Sequence, residues 1–431
     1  MQMPNVDAVL PGPRSEEING KSDGLCLGGV YPRNRSNMPV VFEHGDGSYV
    51  WDRDGNCFID FCFTLTASLG HGEPRVQRAA QDAFASIANT SNYLSPYVVQ
   101  LASQVRKAGG SRYAVQFFSS GAEAVEAGMW FARAISGKDE FISFFGSNHG
   151  KTQAAISLAS MKPWHGKRAP GFIRVPYASC RRCFYGLSYP SCQYRCVAAL
   201  DQFIDQIGTG QVAAVVVEPI QGTRVEIPPA GYLSTLTSYC RRRGILLMAD
   251  EIMTGLGRCG KMLESQWHGV EPDIVVLGKS LANGLPISAV LVHDQHLSGA
   301  REVVGSTTFG GNPLCCRVAS RCMEILEQDG LVGRAAELEQ LIAEALQPLG
   351  DRPGVGRIHG RGCLWGVECI DADSGDPSPT LCKRVAEQLM REGVICFSGG
   401  GMLQITPALN VPREVLVAGL EIVVRTVRRC C

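Results

Sequence analysis

Short apolar runs at residues 115–118, 141–145, 212–217, 245–249, 274–277 and 289–292 recur along this chain, with helical patterns filling the intervals between them. A run of four to six apolar residues suits a strand buried on both faces. A helix between successive strands provides the crossover that parallel pairing needs. The chain therefore reads as α/β, a mostly parallel sheet flanked by helices. Open sheets of this kind take ligands beyond the carboxyl ends of their strands. The residues at those ends are polar: Ser119 and Ser120, Glu218, Asp250 and Lys279.

At 431 residues the chain exceeds one ordinary core. The pattern divides it into an N-terminal arm and hairpin at 1–72, a large domain at 73–312 and a smaller α+β domain at 313–431. Residues 1 to about 40, rich in proline, glycine, asparagine and charge, read as a loosely ordered arm. Around Asp54-Gly55-Asn56 the alternation of apolar and polar residues signals a hairpin. A long helical pattern runs from 313 to about 349, followed by a glycine-rich strand region at 354–368 and helices near 381–391 and 413–427.

Lysine plus arginine equal aspartate plus glutamate at 41 each, so no overall field draws in nucleic acid or an anionic membrane. The first residues lack the basic start and apolar block of a secretory signal, and no apolar run approaches membrane-spanning length. A soluble cytoplasmic protein with small-molecule partners is expected.

Chemistry enters at Lys279. A lysine held where a buried strand gives way to a glycine-bearing loop is poorly hydrated, which lowers its amine pKa and makes it a nucleophile toward aldehydes. Asp250, ending a neighbouring strand, can hold a pyridinium nitrogen protonated. A lysine and an anionic partner are what pyridoxal phosphate (PLP) requires. Ser120, Gly121 and Ala122 join a strand to a helix and present first-turn amides suited to a phosphate, although Ser120 and Glu123 also spell a plain capping box. The polar, glycine-rich turn holding Thr307 and Thr308 is a second candidate phosphate contact, or else a linker.

These residues resemble the class III, fold-type I PLP-dependent aminotransferases, the group of the 4-aminobutyrate, ornithine and acetylornithine enzymes. The resemblance runs from about residue 45 to 420. It includes Leu69-Gly-His-Gly-Glu-Pro74, Ser120-Gly121-Ala122, His149-Gly150-Lys151-Thr152, Glu218-Pro-Ile-Gln-Gly222, the stretch from Asp250 to Gly260, the lysine segment, and Thr307-Thr-Phe-Gly-Gly-Asn-Pro313. It implies Lys279 as the Schiff-base residue, Asp250 on the pyridine nitrogen, Gly121 and Ala122 amides on the phosphate and Ile252 against the ring. It further implies Thr308 reaching the phosphate of a neighbouring subunit, hence a homodimer with shared active sites. Glu218, His149 and Thr307 fall in motifs around the cofactor.

Three departures from the family bear on substrate. Asn148 stands where an aromatic residue usually stacks on the ring. Met253 replaces a common glutamine near the phenolic oxygen, and a thioether accepts hydrogen bonds weakly and donates none. Gln404 replaces the arginine that clamps a substrate carboxylate. A neutral amide suits hydroxyl or amino groups, so the expected reaction is transamination of a polar substrate such as an aminosugar or aminocyclitol, of the kind met in secondary metabolism. The alternative is an epimerase or racemase, which needs a second acid; His149 and the thiols of Cys57 and Cys62 are candidates. Finally, Cys180, Cys183, Cys192 and Cys196 form two close pairs with the spacing of zinc or iron–sulfur ligands, against a reading as unligated thiols.

Overall fold

The computed structural model describes all residues except 1, 7–8, 23–24, 27–37, 92, 160–167, 302, 304 and 306. By contact, the chain forms two compact units, one of residues 1–74 with 334–431 and one of 75–333.

In the first unit, strands β1 (Phe42–Asp46), β2 (Tyr49–Asp52) and β3 (Cys57–Phe61) form an antiparallel meander. The turn between β2 and β3 is closed by Asp52, whose carboxylate accepts the amides of Asp54 at 3.0 Å and Asn56 at 2.8 Å. The loosely ordered arm is corrected in part. Residues 13–22 form a helix, Pro13–Ser22, because the Asp54 carboxylate caps its first turn, accepting from the amides of Arg14 at 2.7 Å and Ser15 at 3.0 Å. Residues 1, 7–8, 23–24 and 27–37 of that arm lie outside the described residues.

The second unit is built on the predicted sheet. Its strands are β4 (Tyr113–Phe118), β5 (Glu140–Phe144), β6 (Phe172–Val175), β7 (Val212–Val217), β8 (Leu246–Asp250), β9 (Ile274–Leu277) and β10 (Ser288–His293), in the order β4-β10-β9-β8-β7-β5-β6. Pairing is parallel from β9 through to β6, and β10 runs antiparallel to both of its neighbours. The period of two along each strand divides the core. Val216, Met248 and Val276 pack with the helix Gly121–Ser136 on one face, while Val215, Val217 and Leu247 pack with the helix Tyr232–Arg243 on the other. Each such fully buried side chain contributes about 1.5–3 kcal/mol relative to exposure. Gly128 lets the helix Gly121–Ser136 lie close to the sheet, since a Cβ there would meet Met248 Sδ at 2.9 Å.

The last strands, β11 (Val355–Arg361), β12 (Leu364–Cys369), β13 (Val394–Gly399) and β14 (Met402–Ile405), complete the first unit's sheet in the order β1-β2-β3-β13-β14-β12-β11. The parallel pair β3–β13 joins N-terminal and C-terminal segments into one sheet. The long helix expected from 313 to 349 is two helices, Pro313–Gln328 and Leu331–Leu346, separated at Asp329-Gly330. The first packs on the helix Pro96–Ala108, so by contact the division falls at 333/334 rather than 312/313. Among the described residues no helix is long and apolar enough to cross a membrane.

Candidate active site

Because β7, β8 and β9 are adjacent and parallel, the residues that follow them arrive at one edge. Glu218 follows β7, Asp250 ends β8, and Lys279 follows β9 after a single glycine. The loop after β5 carries Asn148 and His149 to the same edge, and the helix after β4 begins there at Gly121. Together they enclose a cavity of about 300 Å³, lined also by Ala122, Ile252 and Met253. Of the residues read from strand ends, Glu218, Asp250 and Lys279 line the cavity, whereas Ser119 and Ser120 stand just before the helix start that lines it at Gly121 and Ala122. Gly150 and Lys151 also line it and were given no role from sequence, although they directly follow His149 in a motif already singled out.

The side chains interlock. Asp250 Oδ2 lies 2.7 Å from His149 Nδ1, and Asp250 Oδ1 accepts the Ile252 amide at 3.1 Å. Glu218 accepts the amides of Asn148 at 2.8 Å and Gly222 at 2.7 Å, clasping the loops that follow β5 and β7. Ile252 packs beneath Gly121, where a Cβ would stand 3.0 Å from Ile252 Cδ1, so glycine is what allows the helix start to approach the cavity floor. That helix is capped by Ser120, and Glu123 accepts from the amides of Ser119 and Ser120 at 2.8 and 2.9 Å. The amides of Gly121 and Ala122 belong to the first turn, whose N–H groups have no intrahelical acceptor.

Electrostatics follow from burial and proximity. Burial pushes the Lys279 amine below its ordinary pKa, although Asp250 and Glu218 pull it up. Burial alone would lower His149, but the hydrogen bond and charge of Asp250, with Glu218 behind, outweigh it and raise the imidazole. Glu218 is raised by burial and by Asp250, with His149 opposing. His149 Nε2 is buried without a hydrogen-bond partner, an expensive condition for a polar atom unless something in the cavity meets it. Lys279 holds φ at +44°, in the left-handed region that a non-glycine residue enters at a cost of roughly 1–3 kcal/mol.

The family profile described as Aminotransferase class-III matches residues 30–427. A 4-aminobutyrate aminotransferase of Mycobacterium leprae (strain TN) is 31% identical, covering 96% of this chain and 96% of its own length. The chain belongs to the class-III aminotransferase family. An alanine/serine racemase of Pyrococcus horikoshii is 28% identical over 99% of this chain and 93% of its own. Among solved structures, the omega transaminase from Pseudomonas jessenii in complex with PMP superposes with a TM-score of 0.88 at 29% identity, covering 95% of this chain and 97% of that one. This protein is thus a PLP-dependent transaminase of fold type I.

The remaining sequence-predicted residues of the transaminase fall elsewhere. Thr308 offers its carbonyl to Asn89 Nδ2 at 3.1 Å, and the Thr307 methyl lies beside Gly310; neither lines the cavity. Gln404 is buried on β14, opposite Gly366 of β12 and Phe397 of β13. The zinc or iron–sulfur expectation is corrected. Among the described residues no three histidine, cysteine or acidic side chains gather as a metal site, Cys180, Cys183, Cys192 and Cys196 included. Cys180 begins a separate turn, Cys180–Arg182, and is exposed, whereas Cys196 lies in the short helix Arg195–Ala198. Burial raises the Cys196 thiol to about 11. Tyr194 and Tyr189 hold the segment by donating to Ala230 O at 2.5 and 3.2 Å.

Proposed function

We propose that the cavity at the ends of β7, β8 and β9 is the catalytic centre, and that the enzyme transfers an amino group between a primary amine and a carbonyl on a polar, uncharged frame such as an aminosugar or aminocyclitol. The observation that carries the first part is the convergence of Lys279, Asp250 and His149 on one wall, with His149 Nε2 still unpartnered. The donor set fits PLP: a carboxylate for its ring nitrogen, helix-start amides for its phosphate and a lysine of depressed pKa for its aldehyde. Bound PLP supplies the electron sink that stabilises negative charge on the substrate carbon.

The chain's own residues do the rest. Lys279 anchors the cofactor through Nζ, and when the substrate amine takes its place the freed amine moves a proton at the substrate carbon. A depressed pKa leaves more of that amine neutral near pH 7 and able to accept. Asp250 supplies the negative charge for the ring nitrogen, and His149 fixes its orientation. Ser120, Gly121 and Ala122 hold the phosphate, while Ile252, Asn148 and Met253 border the ring and Glu218 clasps the surrounding loops. Thr308 serves the phosphate of a second copy of the chain, and Thr307 stands beside it in the same cofactor-binding turn.

The homodimer with shared sites is supported by an exposed apolar surface. Phe84, Tyr93, Leu94 and Phe309 are each more than 60% exposed, and Asn312 Nδ2 ties their two segments by donating to Ala88 O at 2.8 Å. So much apolar surface on adjoining segments marks an association face. Leu94→Glu is expected to shift the protein from dimer to monomer in light scattering and to lower activity with it; an unchanged dimer would remove this face from the account.

The substrate preference is supported by Gln404. Installing the arginine usual in the family, Gln404→Arg, is expected to raise kcat/KM for glutamate and 2-oxoglutarate by about 10- to 150-fold, the equivalent of roughly 1.5–3 kcal/mol for charge-assisted hydrogen bonds. A panel of amines and amino acids in heavy water tests the whole reading. Conversion of the cofactor to its amino form, fastest with amino sugars or aminocyclitols, is the expected result, and comparable wild-type turnover of glutamate would sink the substrate class. The second reading, racemisation, is supported by the resemblance to the alanine/serine racemase; it requires deuterium on an inverted substrate carbon with no net amino transfer. We also place the enzyme in the cytoplasm.

A further inference from the structure

Away from this cavity, the first unit crowds three thiols together that transamination does not use. Cys369 ends β12, and its carbonyl accepts the Ser378 amide at 2.8 Å. Ser378 caps the helix Pro379–Arg391 by accepting from Leu381 N, which puts Cys382 in the first turn beside Cys369. From another direction Ile370, the next residue, donates to Gly354 O at 2.9 Å, and a Cβ at Gly354 would meet Cys431 Cβ at 3.0 Å and Cα at 3.2 Å. Two separate sets of backbone contacts therefore bring Cys382 and Cys431 to Cys369, close enough for both thiols to act on the Cys369 thiol. Arg384 donates to Cys430 O at 3.0 Å and Arg352 to Arg428 O at 2.9 Å, pinning the end of the helix Arg413–Cys430 over this spot.

We propose that Cys369 and Cys431 are a thiol–disulfide exchange site that takes small disulfides of the glutathione class and closes to a reversible disulfide tying the helix Arg413–Cys430 to β12. Access and geometry select the pair. Cys382 is 1% exposed and cannot meet an incoming disulfide, whereas Cys431 is only half-buried. Cys430 and Cys431 are neighbours in the chain, about 3.8 Å apart at Cα, shorter than the roughly 4.4–6.8 Å that a disulfide spans. Cys431 as thiolate attacks glutathione disulfide, forming a mixed disulfide and expelling one glutathione thiolate. Cys369 then attacks the Cys431 sulfur and expels the second. The protein loses two protons and two electrons, and glutathione disulfide gains both.

Proximity to Cys382 raises the Cys369 thiol, Cys431 opposes this and burial adds to the rise; proximity to Cys369, then burial, raises that of Cys431. The reacting thiolate is thus scarce at pH 7, and the rate should climb by about tenfold per pH unit above it. The test incubates the wild-type holoenzyme with excess glutathione disulfide at pH 8.5. The expected outcome is a mass loss of about 2 Da, a linked peptide pair carrying Cys369 and Cys431, and a rise of roughly 3–5 °C in Tm, all reversed by dithiothreitol. Cys430→Ser should leave these intact and Cys431→Ser should abolish them. A lasting glutathione adduct on Cys431, a Cys369–Cys382 link, or the same mass loss in Cys431→Ser would overturn the proposal. Peptide mapping of wild-type protein decides the matter even where a variant fails to fold.

Discussion

Lys279→Ala is expected to lower turnover of any productive amine by about 10⁴-fold or more, because the proposed mechanism has one nitrogen both anchor the cofactor and move the proton. The fold should survive. Lys279 is held at φ +44° in a short turn, Lys279–Ala282, where alanine carries no greater strain than lysine, and its side chain faces the cavity rather than the core. Three readouts separate a chemical role from a structural one. Borohydride reduction of wild-type holoenzyme should fix the cofactor on the peptide containing Lys279, and the variant should release it. Thermal melting should be nearly unchanged. Added small primary amines should restore a part of the proton transfer, since a mobile base can enter the space that the side chain leaves. Turnover within tenfold of wild type, or a reduced adduct on another lysine, would place the chemistry elsewhere.

How much of this was legible in the sequence can be judged residue by residue. Strands β7 and β9 were read at their observed ends, and β4, β5, β8 and β10 within one or two residues, because apolar runs bounded by charge carry their own limits. The run that became β6, Phe172–Val175, alternates with Arg174 and was passed over. The antiparallel course of β10 was missed although the short connection from β9, Ile274–Leu277, to β10, Ser288–His293, leaves no room for the crossover that parallel pairing needs; its other neighbour, β4, lies far earlier in the chain. Strands β13 and β14 escaped for a similar reason, since β13 is completed by β3, more than 300 residues earlier. At the cavity, Glu218, Asp250 and Lys279 were readable because each ends or closely follows an apolar run. The His149–Asp250 hydrogen bond was not, as it joins loops 101 positions apart. The cysteine spacing did not carry through to a metal site, because spacing states only that ligands can be close, and among the described residues no three of them gather as one.

Asp250→Asn carries the second large effect, and its expected size follows from what the carboxylate faces. The substitution keeps shape and volume and removes one charge from a site 5% exposed, where an unmatched partner charge costs roughly 3–5 kcal/mol. Turnover should therefore fall by about 10²–10⁴-fold, with weaker retention of the cofactor, while Asp250→Glu recovers a part of both. His149 supplies a readout independent of turnover. Its imidazole is buried, yet its pKa is raised because Asp250 accepts its hydrogen bond and holds the opposite charge. A raised folded-state pKa adds stability that is fully present below the unfolded value of about 6.5 and is lost as pH climbs through the folded value. Asparagine removes the cause of that elevation. In cofactor-free protein the gap in Tm between wild type and Asp250→Asn should accordingly be widest below about pH 6.5 and close as pH rises past the elevated histidine pKa. His149→Asn should erase the pH dependence of that gap and reduce turnover less than Asp250→Asn does, because it only disorients the carboxylate. A gap that widens with rising pH would show that the histidine is neutral in the folded protein, and the imidazolium–carboxylate pair would have to be abandoned.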